Sequence, residues 1–204
     1  MRPTVTIVCG LLMLSALSTN AQINQPRDWP CIQQFVEEVV PAIVWPGPLA
    51  SQYGEDWRDL PHVVDFAGQL TGASSPDSQD LISQFAANEP PATKSKNLTL
   101  LFFGVWEMLN DTRRNYMQKI IKYSEHQRAI SDQLEDLLIQ LESFAADPES
   151  IKLIEDYQEL ESRVHWHMRV FDQRERTILH LCEQPVLIET RLGEIARMIY
   201  NELD

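Results

Sequence analysis

An all-α fold is predicted for this chain of 204 residues: a long antiparallel helical hairpin, coiled-coil-like, with a small helical bundle at its base. Three observations predict it. An apolar seam stepping by four and three residues runs from Phe102 to Phe144, and a second seam of the same period runs from Leu153 to Leu181. Neither glycine nor proline interrupts residues 105–147. Ahead of the first seam, turns rich in proline and glycine cut residues 28–91 into pieces that suit only short helices.

Residues 1–21 read as an export signal: Arg2 supplies the positive start, Val5 to Leu17 is apolar, and Thr19-Asn20-Ala21 offers small residues ahead of a cut after Ala21. The apolar run is too short to span a bilayer, which takes roughly 20 residues. Residues 22–91 then form the N-terminal short-helix segment. Gln22 to Arg27 is polar, and Asp28 can cap a helix with Pro30 in its first turn that runs to about Val39, before Pro41. Trp45-Pro46-Gly47-Pro48 is a rigid turn. A second helix starts at Asp59-Leu60-Pro61 and ends at Gly72, with Val63, Val64, Phe66, Ala67 and Leu70 facing inward. A third begins at Ser75-Pro76-Asp77, turns Leu81, Ile82 and Phe85 inward, and stops at Glu89-Pro90-Pro91.

Residues 92–204 hold a linker from Ala92 to Asn97, the hairpin and a last helix. The first arm, about 98–144, is roughly 70 Å long at about 1.5 Å rise per residue. Its seam reads Phe102, Trp106, Leu109, Arg113, Tyr116 and Ile120, then Tyr123, Gln127, Ile130, Leu134, Leu137, Leu141 and Phe144. Asp147 and Pro148 cap the second arm, about 148–183, whose seam reads Leu153, Tyr157, Leu160, Val164, His167, Phe171, Arg174, Ile178 and Leu181. A turn near Asp147 sets Leu141 opposite Leu153, Leu137 opposite Tyr157, Leu134 opposite Leu160 and Ile130 opposite Val164. Gln127 and His167 then form one polar layer, which fixes alignment at some cost in stability. Arg113 and Arg174 interrupt the seams nearer the base, where each is expected to pair with an acid across the bundle. Pro185 is expected to end the arm near Glu183. The last helix, about 186–202, turns Ile188, Leu192, Ile195, Ile199 and Leu203 to one side and folds back on the base.

Charge and cysteines bound the setting. Loss of residues 1–21 leaves 16 basic against 30 acidic side chains, a net of −14, which disfavours nucleic acid and anionic lipid as partners; once the signal is cleaved, no stable membrane insertion is expected. Cys9 leaves with the signal, and the remaining pair, Cys31 and Cys182, is expected to form one disulfide in an oxidising compartment.

Catalytic and cofactor motifs are not found. The chain has no His-Glu-x-x-His, Gly-x-Ser-x-Gly, phosphate-binding glycine loop, calcium loop or Cys-x-x-Cys. His165 and His167 stand two apart and point to opposite sides of a helix, so even with Met168 beside them they make a poor copper site. Glu37 with Glu38, and Glu55 with Asp56, are adjacent carboxylates on solvated segments without a pocket to separate their pKa values. Asn97-Leu98-Thr99 and Asn110-Asp111-Thr112 match the N-glycosylation pattern. Arg128 with Asp132, and Glu159 with Arg163, suit a solvated outer face.

Trp29-Pro30-Cys31 after a signal peptide, Val44-Trp45-Pro46-Gly47-Pro48, Cys182-Glu183-Gln184-Pro185-Val186 and Arg191-Leu192-Gly193 together resemble a group of uncharacterised exported helical proteins of Gram-negative bacteria. The resemblance covers nearly the whole mature chain, implies a periplasmic location and brings no assigned activity. Helical periplasmic stress chaperones with Leu-Thr-x-x-Gln repeats are not matched, since Leu70-Thr71 and Leu98-Thr99 lack the glutamine. The expected function is therefore that of a periplasmic or secreted, non-enzymatic interaction protein without cofactor, an accessory, adaptor or chaperone-like partner of another envelope protein. The alternative is a ligand- or metal-binding protein with its site at the base, near Trp29, Trp45, Trp57 and His62.

Overall fold

The computed structural model describes residues 26–146 and 154–203. Among them every regular element is helical, in the order α1 (Pro41–Val44), α2 (Pro61–Gly72), α3 (Ser75–Asn88), α4 (Lys94–Ala146) and α5 (Ile154–Asn201), with two short 3₁₀ turns between α1 and α2. The signal segment, the Asp147-Pro148 cap and Leu153 lie outside the described residues. The two long helices pack together as an antiparallel pair, and the shorter elements gather at their base. At about 1.5 Å per residue, the 53 residues of α4 reach roughly 80 Å.

The base holds the main core. From Asn97 to Phe102 every residue of α4 is buried, as befits a helix enclosed on all sides rather than along one stripe. Val63, Ala67 and Leu70 of α2, Ile82 and Phe85 of α3, and Leu192, Ile195 and Ile199 of α5 close around it. Trp45 stacks flat on Phe102, with ring centroids 4.2 Å apart, and its indole N–H donates to Pro48 O at 2.7 Å. The turn wraps so closely that a Cβ on Gly47 would stand 2.6 Å from that indole. Gly104 lets α2 approach α4, because a Cβ there would meet Trp57 at 3.0 Å and Ala67 at 3.2 Å. Two smaller clusters follow along the hairpin: Trp29, Cys31, Met117 and Ile120, then Leu137, Leu160 and Val164.

The predicted helices at 61–72 and from Ser75 form as expected, α3 with Ser74 as its N-cap. Four expectations are corrected. Residues 28–39 are an irregular strap that bends at 31–33 and again at 37, not a helix. Backbone groups at its end are taken by side chains of α4: Asn110 Oδ1 accepts from Val39 N at 3.1 Å, Asn110 Nδ2 donates to Val39 O at 2.9 Å, and Trp106 Nε1 donates to Val39 O at 2.7 Å. Arg113 Nη1 donates to Val36 O at 2.5 Å. A strand of chain whose polar groups are met this way loses its need for a helical ladder.

The second correction concerns the linker: α4 already starts at Lys94, because Thr93 and Lys94 donate to Pro90 O and the turn leads directly into the helix. The third concerns Pro185, which lies inside α5 and is buried, so the arm does not end near Glu183 and the expected last helix, about 186–202, is its continuation rather than a separate helix folded back. Packing against α4 on both sides of the proline holds the helix through it, although the ring denies Leu181 O its donor. The neighbouring carbonyl, Cys182 O, accepts from Gln33 Nε2 of the strap at 2.5 Å.

The fourth correction is the register. Gln127 Nε2 donates to Phe171 O at 3.2 Å, and Gln127 Oε1 accepts from Arg174 Nε at 3.1 Å. The polar partner of Gln127 is thus Arg174 rather than His167, about two turns further along α5. Gln127 therefore faces Phe171 and Arg174, four and seven residues along α5 from the position that a turn at Asp147 requires.

Candidate functional site

The strap carries the covalent link. Cys31 and Cys182 form a disulfide with Cα atoms 5.6 Å apart, joining the strap to α5 beside Met117 and Ile120. Arg113 is 3% exposed and ties three segments together: α4 through its own backbone, α5 through Glu189 Oε1 at 2.7 Å, and the strap through Val36 O. Its expected acidic partner is therefore present. Arg174 has a different set of partners: it donates to Gln127 and to Tyr123 O at 3.3 Å, and its guanidinium lies 4.0 Å over the Tyr123 ring. Arg128 pairs with Asp28 of the strap rather than with Asp132.

The aromatic residues proposed for a ligand site at the base do not share a cavity. Trp29 packs on Phe35 and donates its indole N–H to Gln33 O at 2.7 Å. Trp45 is spent on Phe102 and Pro48. Trp57 donates to Glu107 Oε2 at 3.1 Å and sits under the Arg58 guanidinium. The shallow hollow beside Trp57, about 160 Å³, is edged by charges already paired with one another: Glu55 with Lys96, and Asp56 and Glu107 with Arg58. The backbone N–H and side chain of Arg58 hold the Asp56 carboxyl below its ordinary value, the signature of a capping acid and not of a proton-transfer group. His62 stacks on Phe85 and lies 3.0 Å from the carboxylate of Glu89, which also accepts from Asn97 Nδ2 at 2.6 Å. These contacts close the α2–α3–α4 junction.

The sequon asparagines are equally committed. Asn97 and Asn110 are 6% and 3% exposed, so neither amide is open to a glycan in the folded chain. Among the described residues no group of three or more His, Cys, Asp or Glu is placed to hold a metal ion, and no helix is long and apolar enough to cross a membrane.

Two further residues place the elements, and sequence reasoning had no signal for their roles. Asn110 brackets the strap, and Arg191 Nη2 reaches Ala73 O at 2.6 Å, Leu70 O at 3.3 Å and Ser78 Oγ, closing the carboxyl end of α2 onto α3.

The rod away from the base offers a different surface. His167 is half-buried in the seam and lines an open hollow of about 400 Å³ with Gln133, Asp136, Leu137, Gln140 and Arg163. Trp166 stands beside it, 53% exposed, with its ring edge-on to His167 at 4.9 Å. Of the six side chains that line the hollow one, Leu137, is apolar, and none is a serine, threonine, cysteine or lysine. No family model matches the chain, and neither does any curated protein or solved structure.

Proposed function

We propose that this chain is an exported, non-enzymatic helical protein that works in the periplasm by docking another envelope protein along its rod, as an accessory, adaptor or chaperone-like subunit. One observation carries the reading. Beyond Arg128 the apolar residues buried between the two arms, among the described residues, are Leu137, Leu160 and Val164, with Leu134, Leu141 and Phe144 partly buried against them; none belongs to the main core, and the outer faces of both helices are solvated. Exposed helix faces of this kind are common docking surfaces. The disulfide is consistent with an oxidising compartment outside the cytosol. The resemblance of the Trp29-Pro30-Cys31 and Cys182-to-Val186 segments to exported proteins points the same way.

The test is capture from periplasmic extract with two baits, the intact chain and a version in which residues 131–169 are replaced by a short glycine-containing loop. That replacement leaves the Gln127–Arg174 layer and everything below it in place. The expected outcome is a partner held by the intact chain and lost by the shortened one. A folded shortened bait that keeps every partner refutes docking through the rod.

A further inference from the structure

We propose that the Trp166 face of the hairpin binds a second copy of this chain in an antiparallel, two-fold arrangement. Trp166 protrudes, and its neighbour His167 lines the hollow whose floor is Leu137. An exposed indole and an open cleft with an apolar floor thus sit side by side on one face. Such a face is self-complementary. Around a two-fold axis passing between the two features, each indole enters the cleft of the other copy, and both contacts form at once. Tryptophan is among the residues most enriched at buried anchors of this kind.

The charge pattern selects the second copy and its orientation. Steps of seven residues along a coiled-coil helix stay on one face. From Gln133 and Asp136, which line the hollow, such steps toward the base reach His126 and Lys119, and Ala129 and Lys122. From Arg163 and Trp166 on α5, single steps toward the tip reach Asp156 and Glu159. Between Asp132 and Glu161 the described residues include no Lys or Arg at all. The face is therefore acidic toward the tip and basic toward the base. Parallel copies would stack like charges, whereas antiparallel copies set each acidic end against the other's basic end. The strap leaves this face open: seven-residue steps from Asn110 and Met117 lead to Ser131 and Leu138, not to Gln133.

Sedimentation of the purified, disulfide-bonded chain from about 1 to 100 μM tests the inference independently of any envelope partner. A dimer is expected whose dissociation constant rises with salt, as screening weakens the end-to-end charge pairing. Trp166→Ala should weaken it roughly thirtyfold or more. Lys122→Glu should weaken it as well, because it removes positive charge from the basic end of the face. Both side chains are exposed, and unchanged helical circular dichroism will show that each variant folds. A chain that stays monomeric at the highest concentration overturns the inference, as does a dimer indifferent to both Trp166→Ala and salt. A monomer that nevertheless captures an envelope protein through its rod removes the second copy and leaves the proposed function standing.

Discussion

Three polar side chains do work at the residue scale that apolar packing alone would not. Arg113, Asn110 and Arg191 each reach backbone carbonyls of another segment, and each is buried or nearly so. A buried carbonyl without a donor costs about 1–3 kcal/mol, so these residues hold the strap and the α2–α3 junction by removing a penalty. Arg113→Met is expected to destabilise the chain by about 2 kcal/mol, since Val36 O loses its donor and Glu189 its partner. Glu189 is 42% exposed and remains solvated, which keeps the cost below that of a fully buried pair. Urea unfolding at constant slope measures it. A loss under about 0.5 kcal/mol would show that apolar packing replaces the guanidinium without penalty. Arg113 was legible as a seam break needing an acid. Asn110 was not, because an asparagine beside the seam looks the same whether it faces water or brackets a strand.

The strap and α5 differ most from expectation at the element scale, and for one connected reason. Residues 28–39 have a capping acid and a first-turn proline, local signals that favour a helix. Long-range partners outweigh them: α4 supplies donors and an acceptor to the backbone at Val36 and Val39, and the disulfide joins positions 151 residues apart in sequence. Pro185, a local stop signal in α5, is overridden by packing on both sides. Replacing Cys31 and Cys182 by serine should therefore loosen the strap before the helices. Amide exchange along residues 29–39 is expected to accelerate while the base stays protected, and total stability should fall by at most about 5 kcal/mol, the chain-entropy ceiling for so long a loop. Unchanged protection of the strap would mean that Asn110, Trp106 and Arg113 seat it unaided.

The whole molecule separates into a base that carries the stability and a projecting hairpin that does not. None of the residues of the main core or of the Cys31 cluster lies between 131 and 169. The chain shortened across that interval is therefore expected to unfold in one cooperative step, with its midpoint within about 5 °C of the full chain. Circular dichroism followed with temperature checks this. A broad, non-cooperative melt would show that the tip cluster of Leu137, Leu160 and Val164 supports the base after all.

Periodicity by itself determined the helical class, the two-armed hairpin and the inward-facing seam positions within the described residues, because a stripe of apolar side chains at coiled-coil spacing has one economical way to leave water. The expected loss of Cys9 with the signal leaves two cysteines, and that parity was enough to pair Cys31 with Cys182. Only the tertiary structure decided the register of the arms, the unbroken path of α5 through Pro185 and the irregular course of the strap. Each of these depends on where the chain reverses and on which distant side chain meets a given carbonyl, and such contacts leave no periodic trace in the sequence. The adjacency of Trp166 to the hollow over Leu137 belongs with them, since the cleft has walls from both arms and exists only once their alignment is set.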